Sequence, residues 1–69
     1  MDVIEKELMS RKNEIEASLE TLFKLNMKFT DWDVPEANDK EAAKLLLEIM
    51  QNKLTQIKND IADGKYNNY

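Results

Sequence analysis

The sequence lacks cysteine and histidine altogether, and it has one glycine and one proline among 69 residues. Without cysteine the chain has no disulfides, thiol nucleophiles or thiolate metal ligands. Without histidine it lacks the commonest general base and the commonest transition-metal ligand. A single glycine, Gly64, cannot build a phosphate-binding loop, which needs several glycines ahead of a helix. We therefore expect a protein that is not an enzyme, with no cofactor, no metal site and no small-molecule substrate.

Long hydrophobic runs are also missing. The longest run of strongly apolar residues is three, as in Leu45-Leu46-Leu47. That length is too short for the core of a signal peptide or for a membrane span. We expect no membrane partner and, by default, a location in the cytoplasm of the producing cell, or of the host cell if the protein is viral.

The charge is mildly acidic and locally concentrated. Fourteen acidic and ten basic residues give a net charge of −4. Residues 30–38 contribute Asp31, Asp33 and Glu36 with no base, and Asp39 follows directly. These four residues form a candidate acidic surface. The chain has no cluster of lysine and arginine that could neutralise a phosphate backbone, so we expect no direct binding to nucleic acid.

The first half of the chain carries a seven-residue repeat that is typical of a coiled-coil helix. Asp2 followed by Glu5 predicts a capping box, so the helix should cover about residues 3–29. Arg11 and Ser18 are the two polar interruptions of the repeat. The apolar members, which we call the heptad stripe, are Met1, Ile4, Leu8, Ile15, Leu22, Leu25 and Phe29.

The second half has a cleaner 4-3 spacing of apolar residues. Asn38 with Glu41 predicts a capping box, and Gly64 is a natural helix terminator, so the second helix should cover about residues 39–63. We expect residues 65–69 to form a flexible polar tail. The apolar positions of the helix are Ala43, Leu47, Met50, Leu54, Ile57 and Ile61.

Pro35 separates the two helical segments and disfavours helix at Val34. An acidic linker over about residues 30–38 then predicts one domain, residues 1–64: an all-α, antiparallel two-helix hairpin. In this register Phe29 would face Ala43 and Leu22 would face Met50. The pattern resembles, at the level of the fold alone, the small hairpins of the Rop family that dimerise into four-helix bundles. The RNA binding of that family is not implied, because this chain has no basic face.

Each helix has more apolar surface than a hairpin seam needs. Helix 1 carries a second ridge about 100° from the heptad stripe, and helix 2 carries one beside its own seam. The sense of rotation predicts that the two ridges lie on opposite faces, with the linker, through Trp32 and Val34, covering one of them. The candidate interface residues are Leu19, Phe23, Met27, Trp32, Leu45, Leu46 and Ile49.

This surplus predicts association, because large apolar patches seldom stay exposed on a soluble monomer. Chains of this size bury only about 60% of their unfolded surface, and this one has no disulfide or metal to compensate. We expect a homodimer resembling a four-helix bundle, another protein as partner, or both. The leading function is a small interaction module acting as an adaptor, chaperone or inhibitor. The alternatives are an acidic mimic that blocks a nucleic-acid-binding protein and a purely structural assembly subunit.

Overall fold

The computed structural model describes residues 2–36 and 38–69, and over these residues the chain is helical without any strand. The helices are α1 (Val3–Ser10), α2 (Lys12–Asp33) and α3 (Asp39–Ala62). Helices α2 and α3 pack against each other in a hairpin-like arrangement. The all-α prediction is confirmed. Met1, the first predicted position of the heptad stripe, lies outside the described residues, as does Ala37.

Both predicted amino-terminal caps are present. The Glu5 amide donates to Asp2 Oδ1 at 2.7 Å, and the Glu41 amide donates to Asn38 Oδ1 at 3.1 Å. Asp2 and Asn38 have extended backbone angles, as residues preceding a helix should. Each cap satisfies one of the amides that has no partner within its helix.

The first predicted helix, over residues 3–29, is interrupted at Arg11. The Ser10 hydroxyl donates to the Glu7 carbonyl at 2.7 Å, the acceptor that the Arg11 amide would use in a regular helix. The Arg11 amide donates instead to the Leu8 carbonyl at 3.1 Å. Such side-chain competition bends helices. The sequence analysis missed this break because neither glycine nor proline marks it.

The carboxyl end of α2 lies four residues beyond the predicted end of the first helix. Thr30, Asp31 and Trp32 were assigned to the linker, but α2 continues to Asp33. Val34 leaves the helix with φ −134° and ψ 76°, consistent with the steric effect of Pro35 on the preceding residue. Proline therefore determines the end of α2, and the acidic residues just before it remain helical.

The end of α3 at Ala62 agrees closely with the predicted terminator. Gly64 has φ +84°, a left-handed conformation that favours glycine. The Gly64 amide donates to the Ile61 carbonyl at 3.1 Å, and the Lys65 amide donates to the Asp60 carbonyl at 3.0 Å. These two bonds form a Schellman motif. Lys65 Nζ also lies 3.5 Å from Asp60 Oδ2. The flexibility of residues 65–69 stays a prediction.

The hairpin is open, and none of its described residues is buried. The radius of gyration is 16.0 Å, whereas a compact chain of this length has about 11 Å. The accessible surface is 6397 Å², and a compact chain of 8.1 kDa has about 4,500 Å². No described helix is both long and apolar enough to span a bilayer.

Candidate interaction surface

Helix α2 turns its second ridge, and not its heptad stripe, toward α3. Phe23 and Met27 of the ridge are half-buried together with Asn26 and Thr30. These four residues have the spacing of a single helix face, so they mark the side of α2 that packs on α3. The predicted seam, in which Leu22 and Phe29 face α3, is therefore wrong. The side of α2 that packs on α3 lies about 100° around the helix from the heptad stripe.

The heptad stripe is left without a partner in this chain. Its α2 members are between 43% and 51% exposed, although leucine, isoleucine and phenylalanine are the residues most often buried. These members are Ile15, Leu22, Leu25 and Phe29. On α1, Ile4 is 73% exposed and Leu8 is 50% exposed. The seven-residue apolar repeat of the first half thus lies on the surface of the hairpin.

Two polar residues allow the ridge to face α3. Asn26 Nδ2 donates to the Leu22 carbonyl at 2.9 Å, and Thr30 Oγ1 donates to the Asn26 carbonyl at 2.9 Å. Because each side chain bonds back to its own helix, partial burial leaves these donors satisfied. Neither residue is among the predicted interface residues. Their spacing of four, which places them on one helix face, was the only indication in the sequence that they share the packed side.

The ridge and α3 enclose an apolar groove, which we call the inter-helix groove. Its volume is about 250 Å³, and acidic Glu16 and Glu20 stand at its rim. The Glu20 carboxylate lies 2.8 Å from Lys24 Nζ; this hydrogen bond and its charge lower the pKa of Glu20 and raise the pKa of Lys24. The apolar residues of the groove are Leu19, Phe23, Leu47, Met50 and Leu54.

A second groove, of about 340 Å³, lies at the linker end of the hairpin. Val34, from the linker, lines it together with Ala42, Leu46 and Ile49, whereas the sequence pattern left open which ridge the linker covers. Ala42 and Leu46 are half-buried there, whereas Leu45 and Ile49 remain exposed. We call this the linker-end groove.

The two faces of the hairpin differ from the expected arrangement. On each helix we compare the side that packs on the other helix with the exposed apolar residues. The heptad stripe on α2, and Leu45 and Ile49 on α3, are rotated about their helix axes in the same direction from that packed side. In two antiparallel helices, residues rotated in the same direction lie on the same face of the pair. Ile15, Leu22, Leu25, Phe29, Leu45 and Ile49 therefore form one surface, which we call the broad face. The prediction of opposite faces does not hold, because the stripe and the ridge of α2 have exchanged roles.

Trp32 belongs to α2 and covers neither groove. Its side chain is 66% exposed, and its ring meets the Phe29 ring edge-on with 5.7 Å between centroids. Three residues separate the two, so they are neighbours on the helix surface. The expectation that Trp32 covers a ridge from the linker is thus wrong. It instead extends the apolar surface around the heptad stripe.

The candidate acidic surface is partly assembled across the linker. A hydrogen bond to the Asp39 carboxyl raises the pKa of Asp31, and partial desolvation and the negative charge of Asp39 add to the effect. Asp39 is the first residue of α3, and Asp31 lies in the last turn of α2. Asp33 and Glu36 are exposed beside them. Within residues 2–36 and 38–69, no group of three carboxylates has the geometry of a metal site.

No protein-family model, no curated protein and no solved structure matches this chain.

Proposed function

We propose that this chain is a small, non-enzymatic protein–protein interaction module, acting as an adaptor, chaperone or inhibitor through the apolar surface of its helical hairpin. The observation that carries the proposal is the open packing. The accessible surface exceeds that of a compact chain by roughly 1,900 Å², and no described residue is buried. Covering this excess against a protein chain would supply the missing half of the hydrophobic core.

The position of the apolar residues supports the same function. Leucine, phenylalanine and methionine line the inter-helix groove, and the broad face lies on the other side of the hairpin. Aromatic residues and methionine are enriched at the centres of protein interfaces. Phe23, Phe29 and Met50 are the anchors that we expect to contribute most to binding.

Site-specific photo-crosslinking in the cells that express the protein tests this function. A photoreactive residue would replace Leu22 on the broad face or Leu54 in the inter-helix groove, with exposed, polar Thr55, on the side of α3 turned away from α2, as the control position. Protein adducts at Leu22 or Leu54, in excess of those at Thr55, would support an interaction module. Equal and low adduct yields at all three positions would overturn the proposal. A ladder of self-adducts would identify a structural assembly subunit.

A second candidate, an acidic mimic that blocks a nucleic-acid-binding protein, has one observation in its favour. The linker brings Asp31 and Asp39 together although both are acidic, which concentrates negative charge beside Asp33 and Glu36. Binding through this surface would weaken steeply with added salt, because exposed charges are screened. Binding through the apolar faces would persist. Measuring any identified complex at low and high salt separates the two candidates.

A further inference from the structure

We infer that a second copy of this chain covers the broad face, by antiparallel pairing of the α1–α2 segments around a twofold axis. This inference rests on the proposed function and names the partner of one face. The heptad stripe calls for a partner helix, because a 3.5-residue repeat keeps one seam turned toward a neighbouring helix. Helix α3 does not fill that place, since α2 turns its other side to α3.

The area supports a partner of this kind. The excess surface of roughly 1,900 Å² per chain is divided between the broad face and the inter-helix groove. Covering about half of it in each copy would bury about 1,900 Å² in total, the size of a stable, specific protein interface. Helix α1 contributes to this excess, because Val3 is 84% exposed and Ile4 is 73% exposed. An isolated helix of eight residues is marginal in water, so packing against the second copy would stabilise it.

The charged residues favour antiparallel over parallel pairing of the two copies. A parallel, in-register pair would place Arg11 against Arg11 inside the seam, and two unpaired positive charges there are unfavourable. In an antiparallel pair with Leu8 opposite Leu25, each Arg11 lies beside Leu22 of the other copy. Arginine can pack its aliphatic stem on such a residue while its charged end stays in water.

The charged residues also favour one register of the antiparallel pair. With Leu8 opposite Leu25, Glu7 of each copy flanks Lys28 of the other, which gives two symmetric attractive pairs. A shift by one heptad brings Glu5 beside Asp33, two like charges. In the favoured register, Ile4 lies opposite Phe29, and α1 of one copy crosses the linker-end groove of the other. The exposed Leu45 and Ile49 side chains would then pack against α1.

Sedimentation equilibrium over a hundredfold range of protein concentration tests whether a second copy binds and whether it binds through the broad face. We expect a dimer for the unmodified chain and for Leu54→Lys, but a monomer for Leu22→Lys, whose added positive charge would face Arg11 of the other copy. Leu22 and Leu54 are 51% and 52% exposed, so the two variants are matched in residue type and exposure and differ in face. Circular dichroism of each variant reports whether its helices form.

Charge exchange tests the pairing without touching apolar residues. Glu7→Lys and Lys28→Glu should each raise the dimer dissociation constant about tenfold, and the double variant should restore it. Within one chain the two residues are about 30 Å apart along the helix, so rescue requires a second copy. An additive double variant would overturn the antiparallel register.

A helical monomer at every concentration would overturn the second copy as occupant, and dissociation by Leu54→Lys alone would overturn the choice of face. Neither result removes the proposed function, which photo-crosslinking tests separately: it fails if adduct yields at Leu22 and Leu54 do not exceed those at the control position, or if the adducts form a ladder of self-adducts.

Discussion

At the scale of single residues, the clearest electrostatic feature is the contact between Asp31 and Asp39. A hydrogen bond to the Asp39 carboxyl, desolvation and the negative charge of Asp39 together raise the pKa of Asp31 above its usual 3.8. Above the raised pKa, the Asp31 carboxylate faces a second acidic side chain. The last turn of α2 is also an unfavourable position for a negative charge, because the carboxyl end of a helix is itself negative.

We predict that Asp31→Asn raises the thermal unfolding midpoint at neutral pH. A raised pKa in the folded state means that the contact stabilises the fold below the usual pKa and that this stabilisation is lost as the pH rises through the raised value. The gain from the variant should therefore shrink as the pH falls through the raised pKa toward 3.8. Thermal melts across pH in the Asp39→Asn background provide the control. A gain of equal size in that background would show that the contact is not the cause.

Gly64 is the other residue whose role follows from local geometry. We predict that Gly64→Ala lowers the free energy of unfolding by about 1–2 kcal/mol, since a left-handed conformation strains any residue with a Cβ atom. The new Cβ would also lie 3.1 Å from Asn67 Nδ2. Urea denaturation measures the loss. Gly64→Asn, which tolerates this conformation better, should lose less, and an equal loss would argue against strain as the cause.

At the scale of elements, the rotation of α2 decides which apolar residues hold the hairpin together. Phe23 is half-buried against α3, whereas Phe29 is 43% exposed on the broad face. The seven-residue repeat alone predicts the reverse, with Phe29 packed on α3 and Phe23 exposed. Substituting each phenylalanine in turn therefore distinguishes the predicted seam from the observed packing.

We predict that Phe23→Ala lowers the unfolding free energy by about 1–2 kcal/mol at every protein concentration, the loss expected for a half-buried aromatic side chain. Phe29→Ala should cost little in dilute solution and more at concentrations where a second copy covers the broad face. Urea melts at two protein concentrations measure both. A larger loss from Phe29→Ala than from Phe23→Ala in dilute solution would indicate that the heptad stripe packs on α3 after all.

At the scale of the whole molecule, the open hairpin leaves a large apolar surface without internal contact, so association with a second copy should add to its stability. The chain is large for its mass in both radius of gyration and surface. Because stability gained from association depends on mass action, the oligomeric state and the melting temperature should vary together.

We predict that the thermal midpoint rises with protein concentration, while the dilute chain keeps a radius of gyration near 16.0 Å in small-angle scattering. Leu22→Lys should remove the concentration dependence and leave the dilute radius unchanged. A midpoint independent of concentration in the unmodified chain would show that the hairpin is stable without a second copy.

The helix starts, breaks and stops that depend on neighbouring residues could be predicted from the sequence alone. The capping residues Asp2 and Asn38, the break before Pro35 and the stop at Gly64 all act within a few residues of themselves. Each lies where the pattern predicted it. The interruption at Arg11 is just as local, but a serine hydroxyl causes it, and serine alone is a weak signal.

The side of α2 that meets α3 depends on packing between the helices. Both the heptad stripe and the ridge have helical spacing, so the pattern could not rank them. Partial burial of Asn26 and Thr30 on the ridge side is compatible with the observed packing, because both side chains hydrogen-bond to their own helix. The position of the candidate surface followed from that choice, since the rotation of α2 brings the heptad stripe to the same face as Leu45 and Ile49.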